Sequence, residues 1–338
     1  GPSAARTLTG RRLGLLTAGI IAIALLSAAS LAIGSKAIPL DTVLDAFFAP
    51  DGSADHHIVT ATRLPRTLIA ISAGAALAVA GALIQALTRN PLADPGILGV
   101  NAGAALFVVL GMAAFGTASI AHTVWFAFAG ALVTTVGVAL IGAAGKRGPD
   151  PVRFTLAGVA LGAVLTGITN GIMLLDPATF DQMRTWSAGS LLGRDGTVLA
   201  AVAPFLLVGG LLALAAAGPL NAIALGDDLA ASLGARTGHT RVIVIIAITL
   251  LAGGATALAG PIGFVGLMVP HVVRWVVGPE QRWIVLGSLV LGPCLLLLAD
   301  LLGRIALPPT ELPVGIVTAI VGAPVLIALG RRKRASGL

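Results

Sequence analysis

Long apolar runs alternate with short polar bends along the whole chain. About 20 apolar residues suffice for one helix across a bilayer core. Ten runs qualify: 13–34, 64–87, 97–115, 122–143, 154–175, 198–217, 241–260, 261–277, 283–303 and 312–329. The eighth is the weakest, because it is short, opens at Pro261 directly after the seventh, and contains Pro270, His271 and Arg274. The first ends in "LSAASLAIGS", as a signal peptide can, but the similar runs that follow make it a signal-anchor helix. The bend "TRNPLADPG" (88–96) stands out, packing an Arg, an Asp and two prolines between runs of almost pure Leu, Ala, Val and Gly. Pro91 and Pro95 each lack a donor and disfavour helix just before them, which predicts a stiff, non-helical turn.

Composition turns these runs into a membrane protein. Hydrophobic residues make up 57% of the chain, charged ones 10%, and the mean hydropathy is +1.00. A soluble domain carries roughly 25% charged residues, so this chain could not coat a water-facing surface. One cysteine in 338 residues excludes a disulfide framework and a cysteine-based metal site. The net charge of +7 would suggest nucleic acid in a soluble protein, but its placement points to the bilayer and away from nucleic acid. With both termini cytoplasmic, 15 Lys and Arg fall inside and 6 outside: Lys36, Arg63, Arg66, Arg184, Arg194 and Arg304. That is the positive-inside bias, and it requires an even number of spans, since an odd number would put the RRKR tail outside. The expected architecture is a single all-α, polytopic domain over 1–338 with ten transmembrane helices, a cytoplasmic N-terminal segment 1–12 and a basic tail 330–338. Small-xxx-small pairs at Gly99/Gly103, Gly158/Gly162 and Gly167/Gly171 would let helices approach closely.

Catalytic chemistry is missing. "GAAGKR" (142–147) has Leu140 where a phosphate loop has Gly and Arg147 where it has Ser or Thr, and HExxH and GxSxG do not occur. His56-His57 reads as a solvated doublet in an acidic outer loop, and His271 as a structural histidine in a Pro-bent helix, so no metal site is expected. Within the spans the charges are Arg66 and Arg241 near ends, Arg274, and Asp300, which an i,i+4 pair with Arg304 would explain. Ion-driven carriers usually need ionisable groups near the midplane, so active transport here would draw its energy from another chain. The spans hold neutral polarity instead: Ser72, Gln85, Asn101, Thr134, Thr135, Thr166, Thr169, Asn170 and Thr256. Such groups either line a path for a bulky polar solute or hydrogen-bond between helices.

Six stretches, in order from 63 to 327, together resemble the FecCD family, the permease subunits of type II ABC importers for iron-siderophores, haem and cobalamin. They are "RLPRTL" with "GAALAVAGALIQALTRNPLADPGILGVNAGA", "LAGVALGAV", "WSAGSL", "LGDDLAASLGA", "ALAGPIGFVGLMVPHVVR" and "ADLLGRIALPPTELPVGIVTAIVGAPVLI". The resemblance implies the type II ABC importer permease fold with ten helices, in the cytoplasmic (inner) membrane, and no enzymatic activity in this chain. It implies that Arg63, Arg66 and Arg304 receive glutamates of an extracytoplasmic substrate-binding protein; ordinary snorkelling to headgroups is the alternative. Asn90, Pro91 and Leu92 would form the cytoplasmic gate. Leu225, Gly226, Asp227, Asp228, Leu229, Ala230, Ala231, Ser232, Leu233 and Gly234 would be the coupling helix that docks on the ATPase, with the two acids at its N-terminus. The implied partners are a sister permease (a homodimer being the alternative), two ATPase subunits that bind the ATP and Mg, the binding protein and a ferric siderophore. Cofactors are expected in none of this chain's own sites. Haem or cobalamin is the second cargo within the family, and a stand-alone secondary carrier is the reading from another class.

Overall fold

The computed structural model describes residues 2–116, 120–143, 151–224, 226, 230, 236–307 and 310–331, and their regular structure is entirely helical. In chain order the helices are α1 (Pro2–Ala32), α2 (Leu40–Phe48), α3 (Ala54–His57), a π-helical turn (Ile58–Arg63) and α4 (Leu64–Thr88). After a 3-10 turn (Pro95–Leu98) come α5 (Val100–Phe115), α6 (Ile120–Ala143), α7 (Pro151–Leu175), α8 (Pro177–Ser187) and α9 (Gly196–Ala224). The remaining helices are α10 (Thr237–Ala259), α11 (Val265–Val277), α12 (Gln281–Ala306) and α13 (Val314–Arg331). Seven helical stretches are long and apolar enough to cross a membrane, and α5, α11 and α13 supply three shorter apolar helices. Together they match the ten runs expected.

Three differences have local causes. The second span begins ten residues early, at Ala54, where Ser53 accepts from the His56 N–H as an N-cap. Pro65 has no N–H and would crowd the carbonyl four residues back. The turn before it widens to π, with the Leu64 N–H donating to the Val59 carbonyl. The short helices α2 and α8 were not among the expected elements. For α8 the signal was present: Asp176 accepts from the Ala178 and Thr179 N–H groups, and Pro177 fills the first turn. A hydrogen bond from the Thr179 hydroxyl, helped by those from the two N–H groups, holds the Asp176 carboxyl below the usual carboxylate range.

The centre of the bundle is α4, packed on α9, α10, α11 and α12. In α4, 78% of the most apolar window is buried, against 11% in α1 and α7. Glycines set the spacing at the centre. A Cβ on Gly74 would lie 2.6 Å from the Gly292 carbonyl oxygen, and one on Gly81 would overlap the Gly266 carbonyl. Of the small-residue pairs singled out in the sequence, Gly103 meets Gly130 and Thr134 of α6, and Gly158 meets the Ile97 carbonyl. Gly167 and Gly171 have nothing within 4 Å.

At 1.5 Å per residue the 13 residues of α11 reach only about 20 Å, short of a bilayer core of about 30 Å. The turn that precedes α11 therefore lies inside the bundle. Irregular backbone at that depth must be satisfied by protein; here Gly260 N–H donates to the Thr256 carbonyl and the Phe264 carbonyl accepts from Met268 N–H, and the adjoining segments are tied to each other. Ser190 N–H donates to the Ala259 carbonyl, and Gly315 N–H to the Gly189 carbonyl. Gly189 and Gly260 have φ values of +68° and +75°, and a Cβ on either would press on a neighbouring carbonyl oxygen.

Candidate functional site

Two polar assemblies lie at opposite ends of the bundle, with an open cavity between α5, α7 and α8. The first gathers the three arginines singled out in the sequence. Arg66, in the first turn of α4, donates through Nε and Nη2 to both carboxylate oxygens of Asp300 on α12, at 2.8–3.2 Å. Its remaining Nη1 lies 2.7 Å from Oε2 of Glu311, in the turn before α13. Arg304, one turn beyond Asp300, donates to the same carboxylate through Nε and Nη2, so the i,i+4 pair expected from spacing is present. Arg304 Nη1 also donates to the Ser30 and Ile33 carbonyls, and Nη2 to the Ser30 hydroxyl. Arg63 donates to the carbonyls of Leu31 and Lys36.

The carbonyls taken by Arg304 and Arg63 belong to the last turn of α1 and the residues just after it. Helix C-terminal carbonyls have no partner within the helix and carry the negative end of its dipole. Arg63 and Arg304 therefore cap α1 with charge. The Ser30 hydroxyl completes the knot with Thr67 at 2.8 Å. The three arginines are 5–7% exposed and Asp300 is 3% exposed. Their guanidinium groups turn into the chain, which excludes the snorkelling geometry and also differs from an open rim of free arginines. Two carboxylates face three guanidiniums, and Arg63 has no carboxylate partner among the described residues.

The second assembly is built on "TRNPLADPG". α4 ends where Arg89 turns left-handed (φ 51°), and the Asn90 N–H reaches back to the Gln85 carbonyl. That closure satisfies an orphan carbonyl of the helix end. Arg89 Nε donates to the Ile223 carbonyl, in the last turn of α9. Asn90 Oδ1 accepts from the Leu92 N–H, and Asp94 Oδ1 accepts from the Gly96 N–H. Burial pushes the Asp94 carboxyl above its usual range. The fully buried Gln85 side chain reaches the carbonyls of Ala93, Gly266 and Leu267, while Arg274 donates to its Oε1 at 3.2 Å. The turn is non-helical over 90–94, as the two prolines predict, and Leu92 at its tip is 42% exposed.

The cavity, of about 490 Å³, is lined by Asp94, Asn101, Thr166, Trp186, Ser187 and Pro261 among others. Of the neutral polar residues in the spans, Thr166 and Asn101 line it, and Asn101 also accepts from Thr256. Gln85, Thr135 and Thr169 bond to backbone carbonyls. The Gln85 and Thr256–Asn101 bonds join helices, whereas those of Thr135 and Thr169 return to their own helix four residues back.

Of the expected coupling segment, only Gly226 and Ala230 are among the described residues, joined by a hydrogen bond from the Ala230 N–H to the Gly226 carbonyl. Leu225, Asp227, Asp228, Leu229, Ala231, Ser232, Leu233 and Gly234 lie outside them. His56, expected to be solvated, is 6% exposed and sits 2.8 Å from Asp51. His271 meets the Trp275 ring edge-on. Among the described residues no group of three His, Cys, Asp or Glu could hold a metal ion.

The sequence reading passed over Glu311, Ser30 and the Gln85–Arg274 pair. For Glu311 a signal existed, since Asp300 and Glu311 are the only acids between 281 and 331. The Gln85–Arg274 and Ser30–Arg304 partners are joined across 189 and 274 positions of chain, where helical spacing gives no clue.

Residues 21–332 match the FecCD transport family. The chain is 52% identical, over 96% of both lengths, to the ferric enterobactin transport system permease protein FepD of Escherichia coli K12. It is 42% identical, over 90% of both, to the Fe(3+)-citrate import system permease protein YfmD of Bacillus subtilis. A solved structure of a metal-chelate type ABC transporter in an inward-facing conformation superposes with a TM-score of 0.83, covering 93% of this chain and 98% of that one at 25% identity.

Proposed function

Since the chain belongs to the FecCD transport family, we propose that it is the permease subunit of an ATP-driven importer that carries a ferric siderophore across the cytoplasmic membrane. The observation that carries this reading is near full-length similarity, 52% identity over 96% of the chain, to a ferric enterobactin permease. No feature of the described residues favours haem or cobalamin. A stand-alone ion-driven carrier is disfavoured by Asp300. It is the one acid in the body of the spanning helices described, and two arginines hold its oxygens within the bundle.

In this reading both termini are cytoplasmic, a sister permease completes the pathway, and two ATPase subunits bind ATP and Mg and supply the energy. Asn90, Pro91 and Leu92 form the inner gate, supported by the stiff turn that holds Leu92 outward. Residues 225–234 dock on the ATPase. Arg63, Arg66 and Arg304 underlie the outer face that meets acidic side chains of a substrate-binding protein, supported by their clustering and by the one positive charge the two carboxylates leave unmatched.

The test is uptake of radioactive iron into proteoliposomes holding the chain with its sister permease and ATPase, with binding protein outside and ATP inside. A panel of ferric chelates, including ferric enterobactin, should show ATP-dependent uptake of a siderophore. Uptake of iron chelates by this chain alone, driven by an ion gradient, would overturn the proposal.

A further inference from the structure

Asp300 and Glu311 hold Arg66 unequally. Asp300 is 3% exposed and takes three hydrogen bonds from Arg66. The Glu311 side chain is 20% exposed and reaches Arg66 through a single buried oxygen, Oε2, 2.7 Å from Nη1. With one contact against three, Glu311 is the looser ligand, and its side chain is the more exposed of the two. It is also carried on a short turn. Leu312 N–H donates to the Gly303 carbonyl, Gly315 N–H donates to the Gly189 carbonyl, and α13 starts at Val314.

We infer that Glu311 is an internal stand-in for a partner's carboxylate: it holds the outward nitrogen of Arg66 in the undocked transporter and yields it when an acidic side chain of the substrate-binding protein arrives. This rests on the docking role proposed above for the arginines. Exchange of one carboxylate for another keeps an acceptor beside Nη1 throughout, while Asp300 stays on Nε and Nη2, avoiding the penalty of a buried donor left unsatisfied. A direct approach to Arg66 with Glu311 in place would bring two carboxylates to one nitrogen. Release of Glu311 also loosens the turn that leads into α13. That helix packs on the irregular backbone deep in the bundle, through Gly315 on Gly189 and Gly322 against the Phe264 ring. Docking at the outer face would thus reach the inside of the bundle through one side chain.

The experiment uses the assembled transporter in nanodiscs and its purified substrate-binding protein. Surface plasmon resonance should show Glu311→Gln docking about 1.4- to fivefold more tightly, the range for a partly exposed ion pair that no longer competes. In parallel, Leu44→Cys and Thr310→Cys, both at exposed positions, carry nitroxides in a Cys294→Ser background. Pulsed electron paramagnetic resonance should show the distance between them shift on docking in the chain that keeps Glu311. Glu311→Gln should show the docked distribution before the partner is added. Arg63→Gln separates the two ideas. If it weakens docking while Glu311→Gln leaves affinity unchanged or lower, the arginines dock and the exchange is wrong. If neither substitution changes affinity, the docking role itself fails. An unchanged nitroxide distance on docking overturns the exchange even if the Gln variant cannot be assembled.

Discussion

Asp300 and Arg66, 234 positions apart, meet in a two-pronged ion pair that closes α4 onto α12, with Arg304 on the same carboxylate. Both side chains are at least nine-tenths buried. Asp300→Asn keeps the volume but leaves the buried Arg304 without an anion and Arg66 with the Glu311 carboxylate alone. The expected loss is roughly 3–5 kcal/mol, the penalty for one partner removed from a buried pair. It should appear as a lowered unfolding temperature in detergent. An unchanged transition would mean that water already screens the cluster.

Asp94 gives a pH-dependent prediction. Burial raises its carboxyl above the ordinary 3.8, so the folded chain favours the neutral form and ionisation costs stability. That cost is absent below 3.8 and complete once the pH exceeds the raised value. Asp94→Asn keeps an acceptor for the Gly96 N–H and removes the cost. It should unfold at an equal or higher temperature than the native chain at pH 7, with the difference closing toward pH 4. Asp94→Ala loses the cap and should cost about 1 kcal/mol.

The Gly81–Gly266 contact leaves no room for a methyl group. Gly81→Ala must push α4 and α11 apart, at a cost of about 1–3 kcal/mol or more, and should reduce the yield of folded protein on size exclusion. Gly238→Ala, in the first turn of α10 with nothing within 4 Å, should leave that yield unchanged. Equal losses in both would show that helix spacing at the centre is not the limit.

Leu92 at the tip of the stiff turn tests the gate. Leu92→Gly should make vesicles leaky to a small polar solute, and Leu92→Cys should crosslink to the neighbouring subunit in a way that nucleotide and binding protein alter. Crosslinking at 90–92 indifferent to both would remove the gate assignment.

The coupling segment is tested by reversing its acids. Asp227→Lys with Asp228→Lys should leave the chain inserted and assembled but separate ATP hydrolysis from uptake. Native rates of ATP-driven uptake would end the assignment.

The apolar runs by themselves determined a ten-span helical membrane protein, because a bilayer demands about 20 apolar residues per crossing and nearly every span meets that length locally. They also located the stiff turn, since proline acts on its own backbone and its neighbour's. The Asp300–Arg304 pair was legible for the same reason, being one helical turn apart. Contacts across distant helices were not. Spacing shows Arg63 and Arg66 as two cations on one helix, whereas the fold turns one to the end of α1 and the other to an aspartate on α12. What looked like a row of exposed arginines is a buried, mostly satisfied knot, because α1 ends with unpaired carbonyls where α4 begins. Only the packed bundle decided that, along with the place of Glu311, since a side chain's exposure depends on which helices close around it and no local pattern records that.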